Sequence, residues 1–339
     1  MDTAAADGDV VQGAKVANIQ VAVNYPIVSA YEFEFLKEEE VVRERLDKCT
    51  LYLLVQRPLT YFDNVVLDDG VISFEIADGE TTPLACRVDL VNAGLCGPGE
   101  AICVETHYFT KAPGKEQPFR DVGAIKLFRK DKSLIVWWSP QKLLYEMLVR
   151  GLEVDTTGSG DPLSFLDFTV LYVGKAFDQK VWDRLTGHEK MQKILTVQSP
   201  VGAAPAARAP FEVSLILLSV VGLTDVAELP YGGMSDVSGI QTLLHDVDLS
   251  DSEAFVRFMS EPLVALGDEA MTREVEAQLI HRFKPEYNSV MFKNYPEIAG
   301  GMRSKGYTWT DLMIEDLPAS LRTPHFKIGP MLQEEAEAS

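Results

Sequence analysis

Cysteine is scarce in this chain, with four residues, Cys49, Cys86, Cys96 and Cys103, all in the first third of the sequence. None forms a short C-x-x-C pair, so a zinc knuckle or a dithiol redox motif is excluded. Flanked by Leu, Ile and Val, they read as buried thiols suited to a reducing compartment, with no disulfide required. Positive charge is also short: 31 Lys and Arg stand against 51 Asp and Glu, a net −20. Such a body repels phosphate backbones at long range, which argues against a general nucleic-acid coat protein but leaves room for a local basic cleft. Long apolar runs are missing as well. The most apolar, Phe211 to Leu223, is shorter than the ~20 residues a membrane helix needs, and it is rich in β-branched residues, so it reads as a central strand. Met1 to Gly8 lacks the basic flank and apolar stretch of a secretory signal; residues 1–15 are expected to be disordered and the protein cytoplasmic. Gly97-Pro98-Gly99 and Gly158-Ser159-Gly160 lack the Lys-Ser/Thr of a nucleotide loop and read as turns. No repeat of 20–50 residues is present.

What the sequence does contain is strand-like alternation followed by mixed strand and helix patterns, an α+β fold class. Runs at Asn18–Val23, Leu51–Val55, Val71–Ile76, Cys86–Val91, Ile102–Phe109 and Ala124–Phe128 predict a β-rich N-terminal domain over 16–152, a sandwich or barrel. Ser139 can cap a helix that starts at Pro140 and runs to about Arg150. The tract Asp155 to Pro162 has linker composition and predicts a boundary. Beyond it, a second domain over 161–300 is expected: a strand at Phe168–Val173, one helix over about Val181–Leu195, a Pro/Ala-rich loop at Ser199–Pro210, and the strand at Phe211–Leu223. A short helix from Ser250 to Met259 and a longer one from about Asp268 to Phe283 follow, with residues 301–339 as an extension.

Two stretches carry chemistry. The first is Leu171-Tyr172-Val173-Gly174-Lys175, with Arg184 and His188 after it; the second runs from Glu276 to Lys284-Pro285-Glu286-Tyr287-Asn288. Together they resemble GIY-YIG nucleases, in which a strand ends in a Tyr-x-Gly triplet, a helix presents an Arg and often a His one turn later, and a later helix carries a Glu before a Pro-x-Tyr-Asn turn. The i, i+4 step from Arg184 to His188 predicts that both project from one face of one helix.

The resemblance implies a metal-dependent endonuclease hydrolysing phosphodiester bonds, of DNA rather than RNA. Arg184 would grip the phosphate through its planar fork. Glu276 would hold one divalent cation, Mg2+ by preference of a hard carboxylate. Tyr172, His188 and Lys175 would transfer protons or orient water, while Gly174 and Asn288 would complete the structural motif. The resemblance also places a second tyrosine on the hairpin strand before the triplet. Asp161–Phe168 contains none, so one of two active-site tyrosines is expected to be absent. The long span to Glu276 is read as an insertion at about 197–265, whose acidic stretch of Asp246, Asp248, Asp251 and Glu253 could screen substrate. The N-terminal domain would select the target or a protein partner, with no membrane involved. Two alternatives stand beside this: an inactive GIY-YIG-like scaffold that binds nucleic acid or protein, and an acidic interaction protein that touches no nucleic acid.

Overall fold

The computed structural model describes residues 16–111, 114, 116–156, 160–176, 180–204, 206–224, 252, 269–292, 301 and 309–330. The first part of the chain runs β1 (Val16–Val23), β2 (Val28–Ser29), α1 (Ala30–Leu36), α2 (Glu40–Leu46) and β3 (Leu51–Gln56). Six strands follow: β4 (Tyr61–Asp68), β5 (Val71–Ala77), β6 (Leu84–Asp89), β7 (Ile102–Tyr108), β8 (Val122–Arg129) and β9 (Leu134–Trp138). After α3 (Pro140–Arg150) and a 3-10 turn at Pro162–Leu166 come β10 (Asp167–Lys175), α4 (Val181–Thr186), α5 (Glu189–Val197), the single turn α6 (Ala209–Glu212) and β11 (Val213–Thr224). The last described elements are α7 (Glu269–Phe283), β12 (Trp309–Glu315), β13 (Ser320–Arg322) and β14 (Lys327–Ile328). Helices and strands thus mix in an α+β fold.

The strands form two sheets. A mixed sheet runs β12-β1-β11-β3-β10-β13-β14, with β2 paired to β11, while β4 to β9 form an antiparallel sheet ordered β6-β5-β4-β8-β7, with β9 also on β8. Strand β3, Leu-Tyr-Leu-Leu-Val-Gln, is buried at all six positions because it lies centrally, covered on both faces. Period-two alternation sorts its side chains. Leu51, Leu53 and Val55 join the larger core with Val173, Ile216, Leu218, Val275, Leu279 and the inner face of the second sheet. Tyr52 and Leu54 point the other way, into a core closed by Phe33, Val181, Leu185 and Ile194 of the helices α1, α4 and α5.

Local signals explain the helix ends. Ser29 accepts the Glu32 amide at 3.1 Å while the Glu32 carboxylate accepts the Ser29 amide at 2.6 Å, a reciprocal capping box on α1. Ser139 caps α3 with Pro140 in the first turn, and Gly151, at φ 70, closes its far end in the left-handed conformation glycine permits. No helix among the described residues is long and apolar enough to cross a membrane.

Two expectations about organisation do not match the sheets. Strands β1 and β3, predicted within one N-terminal β-rich unit, hydrogen-bond to β11 and β10, so the linker-like tract near Asp155–Pro162 does not separate the two sheets. The six-stranded sheet is instead inserted between β3 and β10, two strands that pair directly. Likewise β11, inside the expected insertion at 197–265, is a central strand of the mixed sheet, paired on both sides by β1 and β3. The apolar composition that marked it as central is the reason. Apart from Ser252, the helix predicted over Ser250–Met259 and the acidic stretch with Asp246 to Glu253 lie outside the described residues, as do 1–15 and 331–339.

Candidate active site

The strand that pairs with the Tyr172-Val173-Gly174 triplet is β3, not the segment just before it. Residues 162–166 form the 3-10 turn, whereas Tyr172 pairs with Leu54 and Gly174 with Tyr52 in antiparallel register. Directly opposed residues point to the same face, so Tyr52 and Tyr172 share one. A bulge between Val170 and Tyr172 resets the alternation at Leu171, which lets Val170 and Val173 face the larger core while Tyr172 turns toward the helices. The two rings lie 6.1 Å apart between centroids. Gly174 makes this closeness possible: a Cβ there would sit 2.5 Å from Cζ and Oη of Tyr52 and 2.7 Å from Cε1 of Tyr172. Asp161–Phe168 holds no tyrosine, but a tyrosine from elsewhere in the chain, Tyr52, stands beside Tyr172 on the neighbouring strand. Leu51–Val55 reads as a strand from its own sequence, but nothing in that segment marks it as the partner of the triplet.

The helix after β10 also differs from expectation. One continuous helix over about Val181–Leu195 is replaced by α4 and α5, broken at Gly187, with His188 extended as the N-cap of α5. Arg184 and His188 are therefore not stacked one turn apart on a single helix. The break has a chemical result. His188 Nδ1 accepts the Met191 backbone amide at 3.2 Å, which places the neutral ring's proton on Nε2. Nε2 lies 2.9 Å from the Tyr52 hydroxyl and donates to it. His188 also packs 5.3 Å from the Tyr172 ring.

Around this pair the remaining predicted residues converge. Lys175 Nζ forms an ion pair with Glu276 Oε2 at 2.6 Å, joining the end of β10 to α7. Thr272, one turn before Glu276, meets Thr50 at 3.2 Å between hydroxyls and fixes that helix against the start of β3. Asn288 is buried and works as a substitute strand: its Oδ1 accepts the Val173 amide at 2.9 Å and its Nδ2 donates to the Val173 carbonyl at 2.8 Å. A primary amide presents the same donor and acceptor as a peptide group, so it pairs the part of the β10 edge that β13 does not reach. The Tyr287 amide extends the pairing to the Leu171 carbonyl at 3.1 Å.

Electrostatics tie the cluster together. Burial raises the Tyr52 hydroxyl above its ordinary value; Tyr172 and Glu276 add to the rise while Arg184 opposes it. Tyr172 is raised in the same way, first by burial and then by Glu276, again opposed by Arg184. Arg184 and Glu276 thus act on both hydroxyls from opposite signs of charge. Burial, then the Arg184 cation, lowers His188 to about 4, so the imidazole is neutral at physiological pH. Lys175, expected to transfer protons or orient water, is ion-paired with Glu276.

A divalent cation can be tested against these groups. Among the described residues no three His, Cys, Asp or Glu side chains gather as a ligand set. Glu276 offers a carboxylate 15% exposed, with Oε2 shared by Lys175. One carboxylate suffices for Mg2+, which keeps several of its waters, so the residues fit a largely hydrated ion and do not fit a fully protein-coordinated one.

Comparison with protein-family models gives no match, and neither the curated proteins nor the solved structures give one.

Proposed function

We propose that this chain is a metal-dependent endonuclease of the GIY-YIG type that hydrolyses nucleic-acid phosphodiester bonds, DNA in preference to RNA. The observation that carries the proposal is the pairing of Tyr52 with Gly174, which sets two tyrosines on adjacent antiparallel strands facing His188, Arg184 and Glu276. Phosphodiester hydrolysis needs an activated water, charge stabilisation on the phosphate and help for the leaving oxygen.

Each group has a part. With its proton on Nε2, His188 donates to the Tyr52 oxygen, so the Tyr52 O–H is directed elsewhere and can engage a water. Donation from His188 also stabilises the phenolate that forms when Tyr52 gives up that proton, which suits Tyr52 to act as the general acid that protonates the leaving oxygen. Arg184, exposed on α4, offers a planar fork for paired phosphate oxygens and stabilises charge developing there. Glu276 would hold Mg2+, which when bound supplies polarisation of the scissile phosphate. Lys175 would hold that carboxylate in place through its ion pair, and Tyr172 would orient solvent beside Tyr52.

Purified protein with Mg2+ should nick plasmid or oligonucleotide substrates, and Glu276→Ala should abolish product without lowering the melting temperature by more than a few degrees. Wild-type protein that leaves single- and double-stranded DNA and RNA uncut would end this proposal. One observation favours a second reading, an inactive scaffold that grips nucleic acid or protein: the Lys175 ammonium already occupies a carboxylate oxygen that a cation would take. Binding that persists in chelator and yields no product would select it. The four cysteines are free thiols, which supports a cytoplasmic setting for either reading. The six-stranded sheet, outside the tyrosine cluster, is proposed to select the target or a protein partner.

A further inference from the structure

A cavity of about 830 Å³, lined by none of the residues of the tyrosine cluster, opens between α2, the end of β1, the C-terminal turn of α3 and the turn after β6. Its lining includes Asn24, Glu44, Arg45, Lys48, Glu146 and Arg150. In a chain with 20 more carboxylates than cations, basic side chains ordinarily find acidic partners. Yet Arg45, Lys48 and Arg150 form no ion pair with a carboxylate among the described residues. Of the two carboxylates in the lining, Glu146 is already taken by Lys142 and by the Trp138 indole N–H at 2.7 Å. Glu44 alone is left against three cations.

Arg150 is also held in place. Its guanidinium lies 5.7 Å from the centroid of the Tyr145 ring and donates to the Tyr145 hydroxyl at 3.2 Å. That hydroxyl is buried and reaches the Val23 carbonyl at 3.5 Å. Arg45 lines the same cavity, and its charge also acts on that hydroxyl, more weakly than Arg150; Asp316 acts on it too but does not line the cavity. Ordering a guanidinium before a ligand arrives removes part of the entropy that binding would otherwise cost.

We propose that this cavity is a binding site for a phosphomonoester, with Arg45 and Arg150 gripping the dianionic group and Lys48 completing its neutralisation. A carboxylate ligand would need only one cation, whereas a phosphomonoester dianion matches two planar forks and an ammonium. The volume exceeds what a phosphate ion fills and lies within the roughly 300–1,000 Å³ of small-molecule sites, which accommodates a nucleotide-sized body behind the phosphate. The same chemistry is presented by a free nucleoside monophosphate and by the 5′-phosphorylated end of a strand.

The test is calorimetric titration of the full chain, in low salt with chelator present to suppress cleavage. Adenosine 5′-monophosphate is compared with adenosine, and a 5′-phosphorylated oligonucleotide with its 5′-hydroxyl counterpart. The monophosphate should bind at least tenfold tighter than adenosine, inorganic phosphate should compete, and Arg45→Gln with Arg150→Gln should remove that preference. Lys48→Gln, a single change at an exposed position, should weaken binding about threefold and covers the case where the double variant fails to fold. A further gain for the phosphorylated oligonucleotide over the monophosphate would assign the ligand to a strand end; equal affinity would assign it to a free nucleotide. No preference for phosphate would overturn the proposal. So would a preference that survives loss of all three cations but disappears in Arg184→Gln, since that binding would belong to the tyrosine cluster.

Discussion

The Tyr52 hydroxyl and His188 Nε2 meet at 2.9 Å although the two residues are 136 apart in the chain. The contact exists because β3 presents Tyr52 to the helix side of the sheet and because the following helix is interrupted at Gly187, leaving His188 free to cap α5. Tyr52→Phe keeps the ring but removes the oxygen. It leaves the buried Nε2–H unpaired, at a cost of about 1–3 kcal/mol in stability. Nicking should fall by roughly 10²–10⁴, the range for loss of a general acid or base. A cleavage assay beside a thermal melt separates the two effects; undiminished cleavage would remove Tyr52 from the chemistry.

Acid should weaken the fold through His188. Its folded value, lowered to about 4 chiefly by burial, lies below the ordinary 6.5, so between these values the unfolded chain binds a proton that the native one refuses. The neutral His188 contribution is complete above about pH 6.5 and is lost progressively as pH falls toward about 4. His188→Asn retains a capping oxygen for the Met191 amide and cannot titrate there. Urea midpoints followed from pH 7 to pH 4 should decline less steeply in that variant than in wild type.

Gly174→Ala tests whether the tyrosines need the bare strand. The added methyl would meet the Tyr52 ring at 2.5 Å, with a second ring 2.7 Å away, and neither can retreat without disturbing His188. Overpacking of this kind costs about 1–3 kcal/mol. Melting temperature and cleavage should therefore fall together, whereas Gly187→Ala, which meets nothing within 4 Å and has φ −104, should leave both nearly unchanged.

Asn288→Ala removes both hydrogen bonds to Val173 and strands a buried amide and carbonyl. We expect a loss of about 2–4 kcal/mol, built from two unpaired groups at roughly 1–3 each with partial hydration. Denaturant unfolding gives the value directly. A change under 0.5 kcal/mol would mean that Asn288 does not hold the turn to β10.

How much of this was legible in the sequence follows from the range over which each signal acts. Ser139-Pro140 and Ser29 with Glu32 announced or could have announced their helices, because caps are local chemistry. The apolar run from Phe211 announced a central strand, and the order of Tyr172, Arg184, Glu276 and Asn288 along the chain is what the resemblance rests on. Tyr52 was not, because nothing near residue 52 says which strand it will pair with; that is settled by cores assembled from residues far apart in sequence. The break at Gly187 was missed for a different reason. A lone glycine in a helical pattern is commonly tolerated, and here the His188 side chain capping Met191 tips the balance toward two short helices.

The insertion of the six-stranded sheet between β3 and β10 sets an order on synthesis. Gln56 cannot find Thr169 until every residue of the intervening sheet has left the ribosome, and β11, the other neighbour of β3, emerges later still, so β3 waits with both edges bare while the body that carries the six-stranded sheet folds beyond it. Once that body is compact, its two ends are neighbours, and the span to be closed behaves as a short loop rather than a long one. The order of emergence thus makes the later strand, β10, the step that brings both phenols into register.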